Sequence, residues 1–232
     1  MTNKKPTLRS MLRAPVAVLM ASFVAVYGNA HAAEPFQNKL EIGTYSFKPQ
    51  DSSGDLTGPA TPPNANVSVG NSASVALLYM RMVSDNIGVQ LAVGIPPKFS
   101  IYGTGSVAPM GKVATTTAIN PAVAVLYFFG DSSDRLRPLV GAGLNYTKFV
   151  QTRSTNALDA ALGPTTGSLK SSWGPLVTAG ATYRFDERWS LNGNVSYVKV
   201  KTTATLLSAG ITRTLDVKVD PVVIKLTLGY SF

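Results

Sequence analysis

The stretch Val222-Val223-Ile224-Lys225-Leu226-Thr227-Leu228-Gly229-Tyr230-Ser231-Phe232 decides how this chain is read. Apolar side chains fall at 222, 224, 226, 228, 230 and 232, and from Lys225 onward the positions between hold Lys225, Thr227, Gly229 and Ser231. A period of two is the strand period, so one face is apolar and the other polar or small. The pattern runs into a terminal aromatic residue, where a soluble domain would usually fray. A strand with hydrocarbon on one side and a polar lumen on the other carries this signature.

Seven segments upstream repeat the pattern: 39–48, closed by Pro49, then 72–83, 86–95, closed by Pro96-Pro97, 117–129, 137–150, 171–185 and 188–202. The eighth is 214–232, which contains the stretch quoted above. The links after the second, fourth and sixth segments are short and made of turn formers: Ser84-Asp85, Gly130-Asp131-Ser132-Ser133-Asp134-Arg135 and Asp186-Glu187. Those after the first, third, fifth and seventh are long and rich in Gly, Thr, Ser, Asn and Pro. Strict alternation of short and long links is the rule for outer-membrane barrels, with short turns on the periplasmic side. A soluble sandwich does not need it, and its strands usually run to about five or six residues. The expected fold is all-β: an eight-stranded antiparallel transmembrane β-barrel with short periplasmic turns and longer extracellular loops.

The faces follow from parity. The lipid face takes Trp189, Leu191, Gly193, Val195 and Tyr197 of the seventh segment, Val177, Ala179, Ala181, Tyr183 and Phe185 of the sixth, and Ile87, Val89, Leu91, Val93 and Ile95 of the third. Ala122 to Phe129 is apolar on both faces, so the fourth segment stays ambiguous. Aromatic residues gather at the short-turn ends: Tyr79, Tyr127, Phe129, Tyr183, Phe185, Trp189, Tyr230 and Phe232. Tyr146, Phe149, Trp173 and Tyr197 lie near the other ends. Two such girdles suit two membrane interfaces.

At the start of the chain, Lys4, Lys5, Arg9 and Arg13 precede an apolar run from Ala14 to Tyr27, and Ala30-His31-Ala32 fits a small-x-small cleavage site. Residues 1–32 are expected to be a cleaved signal peptide and 33–232 the barrel. No later apolar run approaches the ~20 residues that a spanning helix needs. Setting the leader aside leaves 17 of the 21 basic residues and all 12 acids, a net of +5. That modest excess suits solubility or lipid phosphates at the membrane rim. No basic run of the kind that tracks nucleic acid is present, so that partner is dismissed.

With no cysteine, the exported chain is held by packing and backbone pairing alone. The only histidine is His31, inside the leader, so the mature chain lacks the commonest general base and metal ligand. A barrel enzyme acting on lipids is thereby disfavoured, and no catalytic residue, cofactor or metal is expected. Gly141-Ala142-Gly143 sits inside a strand rather than before a helix, so it is not a phosphate loop; it lets the wall bend or a neighbour approach. One polar set is singled out. Glu41, Arg184 and Lys225 share inward parity, and Glu41 is expected to pair with Lys225 or Arg184 near the periplasmic end, closing the lumen to ions. The competing reading is a solvated lumen charge.

With leader, strands and terminal Phe in hand, the mature sequence resembles the outer membrane protein W (OmpW) family. The stretches that carry the resemblance are Ser84-Asp85-Asn86-Ile87-Gly88-Val89, Arg137-Pro138-Leu139-Val140-Gly141-Ala142-Gly143-Leu144-Asn145-Tyr146-Thr147, Ser172-Trp173-Gly174, Arg188-Trp189-Ser190-Leu191-Asn192, Asp220-Pro221 and Leu228-Gly229-Tyr230-Ser231-Phe232. The resemblance implies a narrow, largely apolar interior and passive passage of small hydrophobic molecules across a Gram-negative outer membrane, with sideways exit through the wall as one route. Candidate lumen contacts are Ala92, Ala124, Leu126, Leu176, Ser196 and Val198. Ala92 and Ser196 stand where the family can carry bulkier apolar residues. Expected partners are outer-membrane lipid and lipopolysaccharide, small apolar ligands, and the barrel-assembly machinery, which would read Leu226, Leu228, Tyr230 and Phe232 of the last strand. The alternative is a structural, receptor or adhesion barrel with a plugged lumen, since eight strands enclose little more than their own side chains.

Overall fold

A computed structural model describes residues 37–232; the expected leader lies outside the described residues. In chain order the strands are β1 (Asn38–Lys48), β2 (Ser52–Ser53), β3 (Ala65–Val69), β4 (Ser72–Met82) and β5 (Ile87–Gly94). Next come β6 (Lys98–Gly105), β7 (Lys112–Ile119), β8 (Ala122–Phe128), β9 (Leu136–Ser154) and β10 (Thr165–Leu169). Last are β11 (Ser172–Arg184), β12 (Trp189–Val198), β13 (Lys201–Ser208), β14 (Ile211–Lys218) and β15 (Val222–Ser231). Among the described residues one short α-helix, α1 (Asn156–Leu162), lies between β9 and β10, and a 3-10 turn spans Ala108–Met110.

Eight of these close a ring in the order β1-β4-β5-β8-β9-β11-β12-β15, every neighbour antiparallel. The seam joins first strand to last, from Lys39↔Ser231 to Lys48↔Val222. It is finished by reciprocal bonds: Asn38 N–H donates to the Phe232 carbonyl at 3.2 Å, and Phe232 N–H to the Asn38 carbonyl at 2.9 Å. A ring of this kind leaves no open edge, the condition for a sheet to sit in hydrocarbon.

The wall carries the alternation read from sequence. Ile42, Val125, Leu144 and Leu226 are 58%, 53%, 58% and 54% exposed, while their strand neighbours Glu41, Ala124, Asn145 and Thr227 are buried inside. The ambiguous fourth segment resolves with Ala124, Leu126 and Phe128 inward and Val123, Val125 and Tyr127 outward. Aromatic pairs stand at the short-turn end, Tyr127–Phe129 at 5.0 Å, Tyr183–Phe185 at 5.6 Å and Trp189–Tyr230 at 5.0 Å. Tyr146–Trp173, at 4.7 Å, stands toward the other end. Phe149 departs from its expected place in the second girdle, because it faces the interior.

The short turns use the chemistry their residues suggest. Asn86 Nδ2 donates to the carbonyls of Phe128 and Gly130. Asp186 accepts the N–H groups of Trp189 and Arg188, each at 2.8 Å, and these backbone donors hold its carboxyl below the usual carboxylate range.

Three of the long strands expected from sequence are each two strands. Asn120-Pro121 divides 117–129 into the end of β7 and β8, since proline has no N–H for the ladder. The seventh ends at Val198, and β13 starts at Lys201. The eighth breaks at Asp220, whose φ of 32° lies in the left-handed region, followed by Pro221. The last two breaks are tied together, because Asp220 Oδ1 accepts the Val200 N–H at 2.9 Å. Parity survives the break: Arg213, Leu215 and Val217 of β14 are buried on the same odd face as Val223 and Thr227 of β15.

The long links expected as loops mostly hold strands. β7 pairs with the upper half of β9, β6 with β7 and β3 with β6, while β10, β13, β14 and β2 form a second sheet. The Thr- and Ser-rich composition read as loop is compatible with strand once a wall edge is there to pair with.

Gly143 shows how tightly the wall is drawn together. A Cβ built there would meet the Val123 carbonyl oxygen, and the Ala124 Cα at 2.6 Å, both backbone atoms that cannot swing aside. Gly143→Ala should cost about 1–3 kcal/mol of stability by forcing β8 and β9 apart. Val140→Ile, whose side chain faces outward, should be neutral. Urea unfolding of the folded protein in detergent, followed by heat-modifiable gel migration, compares the two; equal midpoints would refute the close-approach argument.

Candidate functional site: an apolar chamber over a polar floor

The interior divides into two levels. At the short-turn end the inward side chains interlock as a polar floor. Lys39 Nζ donates to Asn192 Oδ1 at 3.1 Å and lies 3.8 Å from Glu41 Oε1. Thr227 Oγ1 donates to Glu41 Oε2 at 2.8 Å, and Thr182 Oγ1 to Asn192 Oδ1 at 2.8 Å. Glu41 is 2% exposed and Asn192 1%. Below them Arg137 reaches under the turns, donating from Nη2 to the Asp85 carbonyl at 2.8 Å while its guanidinium stacks 5.3 Å from the Phe128 ring centroid. Leu78, Met80, Leu126, Phe128 and Leu139 fill the space between.

The polar set expected from sequence is thus rearranged. Glu41 does point inward, but its ionic partner within 4 Å is Lys39, not Lys225 or Arg184. Arg184 turns to the rim, where Nη2 donates to the Asp134 carbonyl at 3.0 Å. Lys225 stands higher, across the ladders from Tyr45 and Asn194. Lys39 was legible all along, since positions 39 and 41 share one face of a strand. Inward parity, however, does not say which cation sits at the same height.

Above the floor opens a cavity of about 240 Å³. Leu78, Gln90, Ala92, Ala124, Leu176 and Val198 line its lower part; Phe47, Phe99, Phe149, Leu158, Leu206 and Leu215, from the wall and its extension, line the upper part. Of the six candidate contacts, Ala92, Ala124, Leu176, Ser196 and Val198 lie on this lining. Leu126 does not; it packs over Gly141, filling the space a Cβ would take there. The sequence reading missed the contribution of the long links, because it treated them as loops. It also missed Phe47 and Phe99, whose rings stack edge-on at 5.7 Å.

On one side the wall is interrupted. The β5–β8 ladder stops at Ala92↔Ala122, and pairing resumes between β6 and β7 at Lys98↔Thr117. Pro96, Pro97 and Pro121, in the gap, bring no N–H. The chamber reaches this place through Ala92, Val93, Asn120 and Ala122. Tyr45 Oη, donating from inside the barrel, holds the Ile95 carbonyl at 2.8 Å.

A closed eight-stranded ring, apolar outside and belted by aromatics, defines a transmembrane β-barrel of the outer-membrane class. Residues 39–232 match the model of the OmpW family, and the chain belongs to that family. It is 32% identical over 205 residues to outer membrane protein W of Escherichia coli (strain K12), covering 88% of this chain and 92% of that one. It is 30% identical over 226 residues to outer membrane protein AlkL of Ectopseudomonas oleovorans, covering 93% and 95%. The crystal structure of the outer membrane protein OprG from Pseudomonas aeruginosa superposes with a TM-score of 0.78 at 25% identity, covering 85% of this chain and 97% of that one. The protein is located in the outer membrane of Gram-negative cells, and the short turns therefore face the periplasm.

The floor has a thermodynamic consequence. Removing one member of a buried ion pair strands the other, at about 3–5 kcal/mol, whereas replacing both by apolar groups is often neutral. Glu41→Ala should therefore destabilise the barrel far more than the double change Lys39→Met with Glu41→Leu. Chemical unfolding of the three proteins in one detergent measures it; a double variant as unstable as the single one would contradict the assignment of the pair.

Proposed function

We propose that the barrel lets small hydrophobic molecules cross the outer membrane passively, and that they leave sideways through the wall. The observation that carries this reading is the apolar chamber, continuous from the long-loop end down to mid-barrel and closed below by the floor. An apolar cavity of ~150 Å³ already accepts a single aromatic ring, so this one suits a somewhat larger solute. Straight descent would force an apolar solute through the ion pair and amide network of Lys39, Glu41 and Asn192. A solute that leaves at the level of Ala92 and Ala122 meets hydrocarbon instead, where the ladder is interrupted and prolines leave few backbone bonds to break. The same floor would block ions. No energy source enters the scheme: the solute moves down its gradient, held weakly by dispersion contacts.

A floor alone would equally suit a structural or adhesion barrel; the chamber above it is what favours passage. The test is uptake of a fluorescent hydrophobic solute by vesicles whose outer leaflet carries lipopolysaccharide, with and without the purified protein. Uptake above protein-free vesicles is expected, without steady ion conductance across a planar bilayer. Ala92→Phe, which places a ring where chamber and gap meet, should bring uptake back toward the protein-free rate while leaving heat-modifiable migration unchanged. An uptake rate equal to that of protein-free vesicles for the unaltered protein would defeat the proposal.

A further inference from the structure

The chamber is apolar but not neutral. Its lining on one side is a single track of odd-numbered positions running down β14 and β15: Leu215, Val217, Val219, Pro221, Val223 and Lys225. A cation ends this track, and another, Arg213, stands beyond its top, outside the chamber lining. Arg213 heads the same face of β14; it is 4% exposed, and its Nε and Nη1 have no hydrogen-bond partner. At the bottom, Lys225 lines the chamber just above the floor, and among the described residues its ammonium has no hydrogen bond or ion pair within 4.0 Å.

The floor does not neutralise Lys225. Glu41 is the acid that acts on it electrostatically. The two oxygens of that carboxylate are already committed, Oε1 toward Lys39 and Oε2 to the Thr227 hydroxyl. Arg137 is answered by the carbonyls of the turns. Lys225 therefore remains as a surplus positive charge at the base of an apolar cavity. Beside it, the ladder partner Asn194 has a buried amide oxygen without a partner. A charge withdrawn from water is costly unless something answers it. An anionic oxygen on Lys225 Nζ, in a cavity that excludes water, makes a charge-assisted bond of the strong kind.

We propose that the chamber is a binding site for small amphipathic monocarboxylates, the carboxylate seated on Lys225 Nζ and the apolar body lying along Val223, Val219 and Val217. This deepens the passage reading and rests on it, since it names the solute class that the same chamber would hold. It separates this barrel from one built for hydrocarbons alone, which would have no use for a cation there.

Decanoate and 1-decanol have matched tails and differ at the headgroup. The full barrel, in nanodiscs of zwitterionic lipid at pH 8, is titrated with each. The readouts are the methyl NMR signals of Ala124 and Leu176 and the Nζ signal of Lys225, with bilayer partition subtracted from empty discs. Decanoate should bind about ten-fold tighter than decanol to the unaltered protein and should shift the Lys225 signal. Lys225→Met should erase that preference without weakening decanol, and Lys225→Arg should keep it; heat-modifiable migration checks that each variant folds. Should Lys225→Met fail to fold, the Lys225 signal in the unaltered protein still decides. Equal affinity for decanoate and decanol, an unmoved Lys225 signal, or a preference that survives in Lys225→Met would overturn the site. Vesicle uptake of the hydrophobic solute is read on the same preparations. Uptake without decanoate preference sinks the headgroup site alone, and preference without uptake sinks the passage reading alone.

Discussion

Backbone pairing is the constraint on which the rest of this structure depends. In hydrocarbon an unmet N–H or C=O costs several kcal/mol, so a sheet in the membrane must have every strand flanked. The ring meets that demand with eight strands, and the seam between Asn38 and Phe232 completes it. Once the ring is closed, side-chain parity has only two destinations. Even positions of β15 such as Leu226 and Leu228 go to lipid, and odd ones such as Lys225 and Thr227 go inside. Glycines at inward positions, Gly143 among them, are what allow neighbouring strands to approach so closely.

The same constraint gives the interruption beside β5 its meaning. A wall built to be sealed lapses where the ladder between β5 and β8 stops short and prolines occupy the margin. The gap opens beside the chamber, whose lining includes Ala92, Val93, Asn120 and Ala122, above the polar floor. The floor is an economical closure: Lys39, Glu41, Thr182, Asn192 and Thr227 satisfy one another in a small volume, and apolar side chains seal the remainder. Closed below and apolar above, the interior is polarised along the barrel axis, with Lys225 at the boundary between the two levels.

The reading from sequence went furthest where one residue's environment is set by its neighbours in the chain. The strands that stay in the membrane, their faces and their short turns belong to that category, because each is a matter of period two and of local turn chemistry. It went astray where pairing partners come from far away. The Thr- and Ser-rich links between the wall strands look like loops on composition, and they hold β3, β6, β10 and most of β7 and β13 because segments distant in the chain are there to pair with. The breaks at Asn120-Pro121 and Asp220-Pro221 were written in the sequence as prolines, but the unbroken parity across them concealed their effect.

Sequence by itself determined the class of fold and, where apolar and polar residues alternate, the membrane face of a spanning strand and its inward residues, since these follow from alternation along a single strand; the fourth segment, apolar on both faces, was resolved only by the structure. Tertiary structure decided which inward residues meet. Heights around a barrel depend on the register of each strand against the next, and no local pattern records that register. That is why Glu41 could be named as a buried charge while its partner Lys39 was passed over for Lys225. It is also why the chamber, assembled from wall and extension together, became visible only once the long links were in place.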